Sequence, residues 1–249
     1  MAETAGIHLR ESRAHAREIK FVVDAARGPE VQAWMRANLA PDEFGSGPEH
    51  DQFETSSLYF ETGEFDVFHR RGSYGKSKYR IRRYGGSPIM FLERKFRTER
   101  VLIKRRTTAS LDDFERLEGN EADPAWYGYW FHRRLVARRL TPLVQVSYVR
   151  TARLGHASNG KVRMTIDFDL RVLPLPDRAF LPGVGLPLME RQNIIELKFC
   201  VALPMIFRQF IDHFALKMQP VSKYRAGLAL LGLSPDAADG TPSIASTAD

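Results

Sequence analysis

Charged residues in this chain recur at every second position in several short stretches. Glu18 and Lys20, Glu93 and Lys95, and Glu196 and Lys198 form E-x-K pairs. Arg80 and Arg82 form an R-x-R pair, with Lys78 two positions before it. Side chains two apart on an extended strand point to the same face. Arginine offers a planar fork of donors that matches phosphate oxygens, and lysine adds a compact point charge. A face carrying many of both suits an oligoanion such as a triphosphate or a longer phosphate chain. Its carboxylates have two uses. They can partner and orient the bases, or hold Mg²⁺ or Mn²⁺, which favour carboxylate oxygens and bridge phosphates in phosphoryl transfer.

Other chemistries lack their motifs. No His or Cys cluster has metal-ligand spacing, no Walker-type phosphate loop is present, and Gly85-Gly86 after Tyr84 reads as a turn. No Ser/His/Asp nucleophile arrangement occurs. Positioning and charge stabilisation would therefore carry any reaction, with no protein nucleophile.

The elements that must position these residues are mostly strands. In Lys161–Leu170, Val162, Met164, Ile166, Phe168 and Leu170 alternate with Arg163, Thr165, Asp167 and Asp169. Arg17–Val23, Lys78–Arg82, Phe91–Phe96 and Ile194–Phe199 alternate likewise. One such strand reads as half-buried with its charged face in water. Solvent does not require E-x-K and R-x-R pairs in five segments, whereas a closed barrel with a charged lumen does. Helices are predicted over Pro29–Leu39, over Asp123–Leu140 with Asp-Pro at its start, over Leu203–Lys217, and from Tyr224 to Leu231. The expected class is α+β: an antiparallel β-barrel with helices packed outside.

Composition bounds the rest. The 249 residues carry 37 Lys+Arg against 30 Asp+Glu, a formal net charge of +7 that favours an anionic partner. Hydrophobic residues at 43% support a core, and one Cys cannot staple a secreted scaffold. No apolar run spans a membrane as a helix and the N-terminus has no signal-like apolar stretch, so the expected location is cytoplasmic. The expected organisation is a flexible lead-in over 1–16, one domain over 17–233 and a disordered tail over 234–249. Single-strand nucleic acid binding is not expected, because no stacking aromatics interleave with the basic strand positions.

The ordered pieces REIKF, SLYFET, YRIRRYGG, FLERKF, VLIKRRT, VSYVRTA, VRMTIDFDL, IIELKF and VSKYRAG resemble the VTC domain. That family lies among the triphosphate tunnel metalloenzymes related to the CYTH proteins. The likeness runs from about Arg17 to Leu233. It implies an antiparallel barrel tunnel that binds a triphosphate with Mn²⁺ or Mg²⁺. By motif, the phosphate-handling residues it implies are Lys20, Arg80, Arg82, Lys95, Lys104, Arg150, Arg163 and Lys223. Arg106 and Lys198 are implied as companions and Glu196 as the metal ligand. A further base before the R-x-R strand is implied. His69, Arg70 and Arg71 all lie near it and spacing does not choose among them; Arg70 is carried as the representative. Many tunnel relatives begin E-x-E-x-K, whereas Ala16 stands at the first position here.

The implied activity is a polyphosphate polymerase that moves the terminal phosphoryl of ATP onto a polyphosphate chain, with pyrophosphate as a further ligand. The alternatives are a tunnel triphosphatase and a non-catalytic polyphosphate-binding module. The likeness includes no membrane domain, so attachment to a membrane would need a partner. Glu18 and Glu93 are expected to orient bases, and Asp167 and Asp169 to contact metal or bases. Trp126, Tyr127, Tyr129 and Trp130 are expected to pack a helix on the barrel.

Overall fold

The computed structural model describes residues 17–43, 45–75, 77–97, 102–158, 160–175, 179–182 and 184–234. The lead-in over 1–16 and the tail over 234–249, Ser234 apart, lie outside the described residues. In chain order the elements are β1 (Arg17–Asp24), α1 (Gly28–Asn38), β2 (Ala40–Pro41), β3 (Gln52–Glu61), β4 (Ser77–Tyr84), β5 (Ile89–Arg97) and β6 (Leu102–Ser110). They continue with α2 (Tyr129–Ala137), β7 (Thr141–Ala157), β8 (Gly160–Pro174), β9 (Leu186–Pro187), β10 (Gln192–Phe199), α3 (Met205–His213) and α4 (Lys223–Leu230). The class is α+β with antiparallel pairing.

The chain divides into two compact units. Among the described residues, one comprises those within 56–146 and 173–182; the other comprises those within 17–55, 147–172 and 184–234. The strand order is β7–β3–β4–β5–β6 in the first and β1–β10–β8–β7 in the second, and β1 and β6 end the hydrogen-bonded path.

In the second unit, register sets the charged face. Lys20 opposes Glu196 and Glu18 opposes Lys198 across β1 and β10. Lys198 in turn opposes Arg163 across β10 and β8. The alternate positions Phe21, Val23, Met164, Ile166, Ile195 and Leu197 are buried with Val31 and Met35 of α1 and with Phe207 and Phe210 of α3. Burying each such side chain stabilises by about 1.5–3 kcal/mol. A one-residue slip would turn this whole set outward, so the apolar face fixes where the charged face points.

In the first unit, Arg80 opposes Glu93 across β4 and β5, and Glu93 opposes Arg106 across β5 and β6. Tyr79, Ile81, Met90 and Leu92 are buried on the alternate face with Phe131 and Leu135 of α2. Gly85, at φ +49, makes the turn after β4, a left-handed backbone that glycine adopts at no steric cost.

Two helices are shorter than the sequence suggested. Asp123 accepts a hydrogen bond from the Ala125 amide at 2.8 Å and so caps a turn, not α2. The helix begins after Gly128, where an added Cβ would lie 2.4 Å from the Trp126 ring. The buried Trp126 thus delays its start, and it stops at Ala137, short of Arg139 at φ 48. The segment over Leu203–Lys217 yields α3, which ends at His213, and Ala215 then turns left-handed at φ 48.

Candidate functional site

Each unit carries a cluster of charged side chains on the polar face of its strands. In the second, Lys20 Nζ lies 3.1 Å from Glu196 Oε1 and 3.3 Å from Glu18 Oε1. Lys198 Nζ lies 3.6 Å from Glu18 Oε2 and 3.7 Å from Glu196 Oε2. Arg150 donates to both oxygens of Asp167, from Nε at 2.5 Å and Nη2 at 2.7 Å, and its Nη2 is 3.8 Å from Glu196 Oε2. Lys223 Nζ is 2.6 Å from Asp167 Oδ2 and 3.8 Å from Glu196 Oε1. The Tyr148 ring lies 5.2 Å from the Arg150 guanidinium carbon and 4.8 Å from Lys223 Nζ. Lys223 gets there because it opens α4, where the Ser222 hydroxyl caps the helix by accepting from the Arg225 amide.

Burial disfavours every charge in this cluster, and pairing decides which survive. Burial would raise the Glu196 carboxyl, but Lys20, Lys198, Lys223 and Arg150 hold it well below the usual carboxylate range. Asp167 is lowered against the same burial by Arg150 and Lys223. Lys20 is raised, because Glu196 and Glu18 outweigh its desolvation. Lys198 is lowered: burial, aided by Arg163 and Arg150, wins over Glu196 and Glu18.

In the first unit one carboxylate collects three bases. Glu93, 2% exposed, accepts from Arg80 Nε at 2.5 Å on Oε2. Its Oε1 lies 2.6 Å from Arg106 Nε and 2.8 Å from Lys104 Nζ. Arg82 donates from Nε to Ser57 Oγ at 3.0 Å. The Tyr84 hydroxyl accepts from Arg106 Nη2 at 3.1 Å. Glu93 is held well below the carboxylate range by Arg80, Lys104, Arg106 and Arg82 in spite of its burial. Lys104 is lowered to about 8: burial, Arg106 and Arg80 together outweigh Glu93. Burial would raise the Tyr84 phenol, yet Arg82, Arg106 and Lys104 pull it down to about 7. Positive charge in this cluster therefore exceeds what Glu93 offsets.

The expected site residues distribute unevenly. Lys20, Arg150, Lys198, Lys223 and Glu196 come together in the second unit. Arg163 lies beside Lys198 in register, but its Nε donates to Asp42 Oδ2 at 2.7 Å. Arg80, Lys104 and Arg106 meet on Glu93, with Arg82 next to them. Lys95 shares the face of Glu93 and sits exposed, in register with Lys104 and Lys78. Arg70 is exposed in a turn at φ 55, outside both clusters. His69 is exposed too, and Arg71 binds Asp66 and the Glu64 carbonyl. Asp167 serves the bases, whereas Asp169 is exposed and pairs with Arg171 at 2.8 Å. Tyr148, Tyr84, Ser57 and Asp42 were not anticipated. Tyr84 follows Arg80 and Arg82 at the same two-residue spacing, and Tyr148 precedes Arg150 by two, so both shared the parity of a known base. Nothing local marked Asp42 or Ser57.

Among the described residues no group of three or more His, Cys, Asp or Glu side chains is arranged to hold a metal ion. Divalent ions that work on phosphates are commonly held by one or two carboxylates, with phosphate oxygens and water completing the shell. Glu196, ringed by bases and with Glu18 bridged to it through Lys20 and Lys198, fits an ion that arrives on a phosphate. It does not fit a resident all-protein cage.

Strand order, charged faces and the two cation-rich clusters define an α+β protein of antiparallel strands whose polar faces are crowded with bases. The VTC domain family matches residues 15–232, and the chain belongs to that family. The family implies a divalent metal. Among solved structures, a candidate adenylate cyclase from Bacillus halodurans is 16% identical, with 86% of this chain and 96% of that one covered at a TM-score of 0.54. A candidate adenylyl cyclase from Hippeastrum, described as having a dominant triphosphatase activity, is 12% identical over 86% of this chain and 95% of that one, at 0.45. The first likeness is one of fold. No curated protein sequence matches. No helix among the described residues is long and apolar enough to cross a membrane.

Proposed function

We propose that the chain is a metal-dependent phosphotransferase that moves the terminal phosphoryl of ATP onto a growing polyphosphate chain. The observation that carries this reading is the crowding of Arg80, Lys104 and Arg106 on the buried Glu93 carboxylate, which leaves Lys104 at about 8. Such an excess of half-buried positive charge is relieved by an oligoanion. Phosphate oxygens would take up the donors of these bases. Glu196 would hold a divalent ion, which would supply positive charge against the charge developing on the phosphates.

The acceptor's terminal phosphate oxygen attacks the γ-phosphorus, the bond from that phosphorus to the β–γ bridging oxygen breaks, and ADP leaves with the electron pair. A phosphate acceptor is already anionic and needs no base. Attack by water does need one, and Glu93, Asp167 and Glu196 are all held below the usual carboxylate range by neighbouring bases, which makes them weak bases. None of these three carboxylates is thus suited to activate water, and a hydrolase would have to use the Tyr84 phenol or Lys104 instead. The test is to incubate the purified chain with ATP and Mn²⁺ and resolve the products on a gel. Long phosphate chains with ADP are expected. ADP and orthophosphate alone would replace this reading with a triphosphatase.

A further inference from the structure

The first unit has a second cluster of bases, on the opposite face of β5 and β6 from Glu93. A surface cavity of about 390 Å³ is lined there by Arg94, Arg105, Tyr129, Trp130, Arg133 and Arg134, together with Ala137. Strand alternation separates it from the first cluster: Glu93, Lys104 and Arg106 point one way, Arg94 and Arg105 the other. We infer that this cavity is a binding site for an inorganic phosphate chain, distinct from the Glu93 and Glu196 clusters.

Four observations support it. Arg94 and Arg105 are direct cross-strand partners, which brings two guanidiniums to one place on the lining, and Arg94 is held there by donating from Nε and Nη2 to Ser77 Oγ at 3.2 and 3.0 Å. The lining contains four guanidiniums and no carboxylate. The guanidiniums are pre-positioned: the Arg105 carbon lies 4.1 Å from the Trp130 ring centre, and Arg133 lies 5.9 Å from that of Tyr129. Trp130 is itself fixed by donating from Nε1 to Thr107 Oγ1 at 2.8 Å. The rings thus hold guanidiniums in place, which leaves them poorly suited to receive a nucleotide base. That selects an inorganic chain over a nucleotide. The expectation that Tyr129 and Trp130 only pack a helix is extended accordingly: they pack, and they also carry bases.

The test needs neither metal nor turnover, so its failure is distinct from failure of the transferase reading. The full chain is titrated with inorganic tripolyphosphate, following tryptophan emission and, separately, heat. Binding at Arg105 is expected to change Trp130 emission, and Trp130→Phe removes that change. R133S/R134S, two exposed positions, should melt as the wild type does and weaken this binding by roughly tenfold or more. Arg208→Gln, an exposed position on α3 of the second unit, should leave it within about twofold. ATP should bind this site more weakly than tripolyphosphate. An unchanged midpoint in R133S/R134S overturns the inference, as does a preference for ATP. If emission is silent, the calorimetric titration of R133S/R134S must lose one binding event, and an unchanged stoichiometry also overturns it.

Discussion

Lys104 Nζ sits 2.8 Å from Glu93 Oε1, yet its ammonium is lowered to about 8 because burial, Arg106 and Arg80 outweigh that contact. Above pH 8 the phosphate-binding form of Lys104 is progressively lost. KM for ATP is expected to rise as pH passes 8 and to be roughly tenfold higher by one pH unit above it. Lys104→Arg should flatten that limb. Stability moves the other way. Between about 8 and the ordinary 10.5 the folded chain binds fewer protons than the unfolded one, so stability rises with pH across that window. Urea midpoints at stepped pH, wild type against Lys104→Arg, check this second half.

Tyr84 offers a direct way to separate transfer from hydrolysis. Its phenol is brought to about 7 by Arg82, Arg106 and Lys104 against the opposing effect of burial. With Lys104, lowered to about 8, it is one of two groups of the Glu93 cluster able to accept a proton from water near neutrality. A general base typically contributes 10²–10⁴-fold. Under the transferase reading Tyr84→Phe keeps polyphosphate synthesis within about threefold and removes any titration near pH 7 from the rate profile. A loss of about a hundredfold or more would mean that Tyr84 accepts a proton in the reaction, as a hydrolase requires.

The parity of the strands made much of this readable from sequence. Glu18 and Lys20 must share a face once Ile19 and Phe21 are buried, and the same holds for Glu196 and Lys198 against Ile195 and Leu197. The role of Glu93 as an orienting carboxylate follows from the same logic. What sequence did not give is long-range. Asp42 reaches Arg163 from a loop 121 residues away, and no local pattern marks such a partner. The start of α2 was misplaced because Asp-Pro is a good local signal, while Gly128 against the Trp126 ring is a packing fact. Spacing did not choose among His69, Arg70 and Arg71, and the turn that holds Arg70 leaves it exposed and outside both clusters.

Glu196 is the carboxylate to test for metal. Its oxygens lie 3.1 Å from Lys20 and 3.7–3.8 Å from Lys198, Lys223 and Arg150. Phosphate oxygens would take over these bases when an ion binds Glu196. Glu196→Gln keeps the side-chain shape and removes the charge. The Mn²⁺ concentration for half-maximal activity is expected to rise by roughly tenfold or more. Lys198→Gln, which removes a competing cation, should not raise it. Activity measured across Mn²⁺ concentration in both variants decides the matter. An unchanged Mn²⁺ requirement in Glu196→Gln would place the ion elsewhere.

Acid stability follows from the same carboxylates. Glu93, Asp167 and Glu196 are all depressed in the folded chain, below ordinary values of 4.5, 3.8 and 4.5. The unfolded chain therefore binds more protons than the folded one once pH falls to about 5, and the stabilisation present above that pH is lost as it falls further. Urea midpoints should be insensitive to these three groups between pH 5.5 and 7 and should drop steeply below about 4.5. Glu93→Gln isolates one contribution. It leaves Arg80, Lys104 and Arg106 around a neutral amide, and breaking a buried pair in this way costs about 3–5 kcal/mol near neutrality. Because that loss comes from a charge the wild type itself gives up in acid, the gap between the two curves should narrow as pH falls below about 4.5. Parallel curves would show that Glu93 acts through shape and hydrogen bonding, with its charge contributing nothing.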